Sequence, residues 1–185
     1  MDRHQKYRSE PRKKILVAGS SGLIGTQLVA FLDTGGHDVY RLVRRKVKYD
    51  NEIEWDPEKG LIDSSKIEGF DAVIHLGGEG IGDRRWSTKR KIKIMTSRTE
   101  STSLLAETLA SLKQPPEVFM VASAVGFYGH SSEKGFTENS EPGEGYLAEV
   151  CSAWEESARP AQESGIRTIW LRTGIVLSGI GGALG

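Results

Sequence analysis

Gly19, Gly22 and Gly25 recur every three residues within ILVAGSSGLIGTQLVAFL, residues 15–32. An apolar, β-branched run leads into them, and a helix-like period leads out. Glycine at each position has a separate physical use in phosphate binding. The first tolerates the positive φ of a sharp strand exit. The second leaves bare backbone where a pyrophosphate must approach, and the third lets the helix pack close on the strand. Leu23 and Ile24 open that helix, whose N-terminus aims free N–H groups and a positive dipole end at an anion. Ser20 and Ser21 add hydroxyl donors. The rival reading is a tight structural turn with no ligand. The strand before and the helix after favour the nucleotide.

The second chemical signal stands about twenty residues further on. A site for NAD(H) places a carboxylate at the end of the second strand, to accept hydrogen bonds from the adenine ribose. This sequence offers Arg44 and Arg45 instead, with no carboxylate before Asp50. A guanidinium pairs with a 2′-phosphate through two parallel bonds and stacks on adenine. The pair predicts NADP(H) as cofactor, with Arg44 the better candidate of the two.

These groups need a scaffold, and the apolar pattern supplies one. KKILVAG, HDVYRLVRR, EIEW, DAVIHLGG, PPEVFMVASA and IRTIWLRTGIVLSG read as six strands. Helical spacing follows Gly22, with Leu23, Leu28, Phe31 and Leu32 on one face and Gly35–Gly36 as the stop. Residues 84–112 read as mostly helix, with Ile92, Ile94, Met95, Leu104, Leu105, Ala106 and Leu109 turned inward. A further helix covers GYLAEVCSAWEESARPAQESG, which Pro160 kinks or restarts. Strands alternating with helices, and apolar on both faces, specify an α/β fold with a doubly wound, mostly parallel sheet, the Rossmann arrangement.

Composition narrows the class. The chain has 185 residues, with 25 Lys+Arg against 25 Asp+Glu, a balance that disfavours a dedicated nucleic-acid binder. Cys151 is the single cysteine, so no internal disulfide forms and a reducing cytoplasm is expected. No apolar run approaches the roughly 20 residues that cross a bilayer. Residues 1–12 read as a flexible basic tail and 13–185 as one nucleotide-binding domain. The glycine-rich end at SGIGGALG suggests that a C-terminal substrate domain is missing. No metal site is expected. The basic stretch 84–98 suits a solvated helix face better than a surface for phosphate or nucleic acid.

The G-x-x-G-x-x-G spacing resembles the short-chain dehydrogenase/reductase superfamily, in particular its extended, epimerase-like branch. VIHLGGEGIGDRRW, SRTESTSLLAETL, SAVGFYG, CSAWEESA and LRTGIVLSGIGGALG are similar to an atypical group of epimerase family proteins, some labelled cell division inhibitors. The resemblance implies that Leu76 and Gly77 lie beside the adenosine and pyrophosphate. It also implies a small-molecule substrate, a nucleotide-sugar among the options. Extended members use a Ser or Thr, a Tyr, and a Lys four residues after the Tyr. Here Ala124 stands at the hydroxyl position, with Ser123 one residue earlier. Tyr146 is followed by Val150, and a one-residue shift pairs Leu147 with Cys151. Neither register supplies the cation that would favour a phenolate. Ser123, Tyr146 and Glu79 remain the catalytic candidates, with Asp83 and Arg84 beside Glu79. His75, inside an apolar strand, reads as a core histidine, Cys151 reads as packing, and Tyr128 as packing or lining the cleft. A non-catalytic NADP(H)-binding sensor is the alternative to an oxidoreductase.

Overall fold

The apolar run that ends at Gly19 is strand β1 (Lys14–Ala18), whose last four residues are buried. The computed structural model describes residues 11–82, 85–130, 135–179 and 181–182. Around β1 stand β2 (Asp38–Val43), β3 (Glu52–Asp56), β4 (Leu61–Ile62), β5 (Ala72–His75), β6 (Val118–Ala124) and β7 (Arg167–Thr173). They form one sheet in the order β4-β3-β2-β1-β5-β6-β7. Every pairing is parallel except β3 with β4. The order runs outward in both directions from β1 and β5, so the sheet's switch point lies between them. Ligands of such sheets bind outside the strand ends at that crevice. β4 is too short for a sequence pattern to reveal. The same holds for the antiparallel hairpin of β8 (Leu177–Ser178) and β9 (Gly181–Gly182).

Alternation along the strands sends side chains to two cores. Ile15, Val17, Val39 and Ile74 pack against Val29, Leu28 and Leu32 of helix α1 (Leu23–Thr34). Leu16, Ala18, Leu42, Val73, Phe119 and Val121 face the other way. There they meet Leu105 and Leu109 of α2 (Thr88–Ala110), Trp154 of α3 (Tyr146–Glu156) and Ala161 of α4 (Arg159–Glu163). Fully burying a side chain such as Phe119 contributes about 2–3 kcal/mol relative to leaving it exposed.

Two helical stripes differ from the sequence reading. On α1 the inward stripe is Gly25, Leu28, Val29 and Leu32, and Phe31 is 74% exposed. A helix packed through a glycine centres its contact there, which rotates Phe31 outward. On α2, Ile94 is buried but Ile92 faces solvent. Residues two positions apart on a helix point about 200° apart around its axis, so Ile92 and Ile94 cannot both face one core. Pro160 restarts rather than bends the last helix, since it occupies the first turn of α4. No helix among the described residues is long and apolar enough to cross a membrane.

At the strands' N-terminal end, Asp71 accepts the Lys14 N–H at 2.6 Å and the Lys13 ammonium at 3.2 Å. These bonds pin β1 to β5 at the end opposite the glycine turn.

Candidate functional site

Gly19 leaves β1 with φ +80°. A Cβ there would lie 2.7 Å from the Leu76 carbonyl carbon and 2.8 Å from the Gly77 nitrogen. The β1 and β5 exits therefore touch through backbone, and the Leu76 N–H donates to Ala18 O at 2.9 Å. Gly25 faces the same corner from α1. A Cβ on it would overlap the Gly19 carbonyl oxygen and lie 2.8 Å from Ser20 Cα. Gly22 is different: a Cβ there meets only Gly19 O, at 3.4 Å. It is the N-cap residue of α1, and no side chain caps that helix. The first N–H groups of α1 are thus left for a ligand.

A cleft of about 710 Å³ opens at this corner. Gly19, Ser20, Ser21, Gly22, Leu76 and Gly77 line it, as do Arg44, Arg45 and Glu79. Leu23, Ile24 and Gly25 are not among the residues of its wall. Sequence reading missed a second wall, from Thr96, Ser97, Glu100 and Ser101 of α2, and a third, from Tyr49, Trp55, Pro57 and Glu58 around β3. Ser97 and Ser101 had a signal: they sit four apart on the buried stripe of α2 with Ile94 and Leu105. Polar residues at such positions mark a wet or ligand-facing stretch. The β3 wall had none, because a short strand and a turn carry no period.

The two arginines divide. Arg44 is exposed and carries no hydrogen bond or ion pair among the described residues. Arg45 grips Glu52 through two bonds, of 2.8 and 2.5 Å. Glu52 also accepts the Lys48 N–H at 2.8 Å. The Arg45 bonds, then the Lys48 N–H, hold the Glu52 carboxyl down to about 2. Arg45 thus fastens the β2–β3 loop and leaves Arg44 as the open cation. A depressed carboxyl favours folding above its unfolded pKa near 4.5 and loses that contribution as pH falls toward about 2. Glu52→Gln is therefore expected to flatten the decline in urea midpoint across that acid window. An unchanged decline would remove Glu52 from the acid response.

His75 is fully buried beneath the cleft floor, with Nε2 3.0 Å from Ser101 Oγ and Trp55 edge-on at 5.9 Å. Burial pushes its imidazole down to about 4, so it is neutral near pH 7. Its Nδ1 has no hydrogen-bond partner among the described residues.

The catalytic candidates are not brought together. Ser123 is 2% exposed, and its hydroxyl donates to Glu155 Oε1 at 2.6 Å, away from the cleft wall. Ser123 shares the buried face of Phe119 and Val121, which α3 covers, so the strand end does not turn it toward the cleft. Tyr146 donates its hydroxyl to the Lys91 carbonyl at 2.6 Å, packs edge-on against Trp86 and lies under the Lys91 ammonium. Burial pushes its phenol up, against the weaker pull of the Arg98 charge, so it is poorly set as a base. Glu79 does line the cleft, but it is ion-paired with Arg90 and lies 3.6 Å from Lys93. Desolvation raises its carboxyl, yet the Arg90 bond and the two cationic charges outweigh it, and the group stays ionised. Asp83 and Arg84 lie outside the described residues. Within the basic stretch, Arg90 and Lys93 serve Glu79, Lys91 covers Tyr146, and Arg98 stacks on Trp154. Cys151 is buried in α3. Among the described residues no group of His, Cys, Asp and Glu is arranged to hold a metal.

Residues 15–179 match the NAD dependent epimerase/dehydratase family. The chain belongs to that family. An epimerase family protein of Mycobacterium bovis is 42% identical over 170 residues, covering 92% of this chain and 56% of the relative. A Corynebacterium glutamicum structure described as a nucleoside-diphosphate sugar epimerase superposes with TM-score 0.83 at 40% identity, over 94% of this chain and 36% of that one. The human epimerase family protein SDR39U1, isoform 2, solved with NADPH, superposes with TM-score 0.80 at 32% identity, over 92% and 57%. The chain spans about half the length of the curated relatives it matches.

Proposed function

We propose that this family member binds NADP(H) in the cleft and serves as the cofactor-binding part of an epimerase-like oxidoreductase acting on a small substrate. The uncapped start of α1, facing bare backbone at Gly19 and Gly22, carries the reading. Any side chain at Gly19 would strike Leu76 and Gly77, so the β1 exit stays bare backbone where the cleft opens. The N–H groups of Leu23 and Ile24 would hold the pyrophosphate, with Ser20 and Ser21 beside them. Arg44 would meet the 2′-phosphate, while Arg45 holds the loop. The human relative solved with NADPH supports this choice of cofactor. When bound, the cofactor supplies hydride transfer. The chain's own part is to orient it and to shield it on the side of His75 and Ser101.

Arg44→Ala is expected to weaken NADPH binding about tenfold to a hundredfold while changing NADH binding little, as lost charge-assisted bonds to phosphate require. Titrating both cofactors by their fluorescence checks it, and an unchanged ratio of affinities sinks Arg44 as the phosphate ligand. For substrate, a nucleotide-sugar is the first class to assay, since the Corynebacterium relative is described as an epimerase of such molecules.

A specific observation favours a second reading. Ser123 is committed to Glu155, and no lysine follows Tyr146 at the required spacing. A binding module without turnover would fit that arrangement. Tight NADPH binding by a version as long as the relatives, with no turnover across carbonyl compounds and nucleotide-sugars, would decide for it.

A further inference from the structure

A cation approaches α3 from another helix. Arg98 comes from α2, not from the helix that carries Tyr146. Its guanidinium carbon lies 4.9 Å from the Trp154 ring centre. It fills the room that Gly78 leaves: a Cβ on Gly78 would stand 3.2 Å from that carbon. Gly78 also lines the cleft. The Arg98 charge also acts on Tyr146 and Cys151 of α3.

The side chain is half-buried, yet it has no carboxylate partner among the described residues. One N–H donates to the Ile94 carbonyl at 3.0 Å. Glu79, the carboxylate whose charge acts on it, is already held by Arg90 and Lys93. Withdrawing a guanidinium from water is costly unless an anion or enough acceptors offset it. The ring of Trp154 offsets part of that cost. The rest of the donor fork has no protein acceptor among the described residues. Those donors lie in the guanidinium plane, and Trp154 takes one face, so a ligand meets the edge. A planar, two-oxygen anion matches an arginine edge through paired hydrogen bonds.

We propose that Arg98 is the anion-binding residue of the reaction centre, and that it receives a carboxylate of the small substrate on its open edge, beside the cofactor cleft. The inference rests on the cofactor reading only for what lies next to it. Arg98 does not replace the missing lysine as a tuner of Tyr146, whose hydroxyl is bonded to Lys91 O. It binds and orients, and its fixed charge stabilises negative charge that develops on a neighbouring oxygen.

Malonate is a suitable probe, followed through the Nε–Hε resonances of the arginine-labelled chain, with and without NADPH. One resonance should move saturably with malonate. It should be the one missing from Arg98→Lys, and inorganic phosphate and chloride should move it far less. Malonate affinity should fall at least about tenfold in Arg98→Met, the scale of a lost bidentate ion pair. If Arg98→Met fails to fold by circular dichroism, the wild-type titration still reads Arg98 directly. No saturable shift, or equal affinity in a folded Arg98→Met, overturns the proposal. Preference for phosphate over malonate overturns the carboxylate assignment. Failure of NADPH to bind in its own titration strikes the cofactor reading alone, because the malonate titration is also run without it.

Discussion

Gly25→Ala is expected to destabilise the fold by about 3 kcal/mol and to abolish measurable NADPH binding, because overpacking a rigid corner forces backbone to move. The methyl would overlap the Gly19 carbonyl oxygen and crowd Ser20 Cα. Both are main-chain atoms with no rotamer to change. Relief requires α1 to lift from β1, which also breaks the packing of Val29 on Ile15 and Val17. Loss of binding in that variant would not separate a broken fold from a filled site. Gly22→Ala does separate them. Its φ of −76° suits any residue, and its Cβ would make only an ordinary contact. Its stability should stay within about 1 kcal/mol of the parent, the scale of an N-cap change. Its NADPH affinity should nevertheless fall about tenfold or more, since the methyl stands where backbone must approach phosphate. Urea unfolding and NADPH titration of both variants check the pair. Undiminished affinity in Gly22→Ala would move the phosphate site away from this turn.

That contrast also shows how far the site was legible beforehand. The spacing of Gly19, Gly22 and Gly25 announced the turn, because each glycine has a job that another residue cannot do there. The sequence could not say that Gly19 is crowded by Leu76 and Gly77, since a contact between β1 and β5 is made by topology. The sheet order itself was legible as a class, from alternating strands and helices, while β4 and the β8–β9 hairpin are too short to carry a period. In sequence Arg44 was only the better candidate of two neighbouring arginines. Glu52, seven residues after Arg45 and on another strand, is what divides them. Arg98 was hidden for the same reason: its approach to Trp154 and Gly78 joins α2 to α3 and the β5 exit, a contact that no spacing along the chain encodes.

Arg172→Met is expected to cost about 3 kcal/mol and to loosen the segment around Glu138, as removing one partner of a buried ion pair does. Arg172 sits on β7 with little exposure and donates to both Glu155 oxygens at 2.8 Å. Its remaining donors reach Tyr128 Oη at 2.9 Å and the Glu138 carbonyl at 3.0 Å. It also lies 3.5 Å from the Phe127 ring centre. One guanidinium thus ties the end of β7 to α3 and to the loop after β6. Methionine keeps the stem's packing and leaves the Glu155 carboxylate with Ser123 as its main donor, a buried charge without its counter-ion. Adding Glu155→Gln removes the stranded charge and should recover about 1–2 kcal/mol of the loss. Urea midpoints of the single and double variants measure that coupling, and protease cleavage near Glu138 measures the loosening. The same network accounts for Ser123. Its hydroxyl completes the coordination of Glu155, so Ser123→Ala should register in the Arg172 cycle and leave NADPH affinity unchanged. An Arg172→Met protein that unfolds at the parent's urea midpoint would show that the clamp does not hold this corner, and would reopen the question of what Ser123 is for.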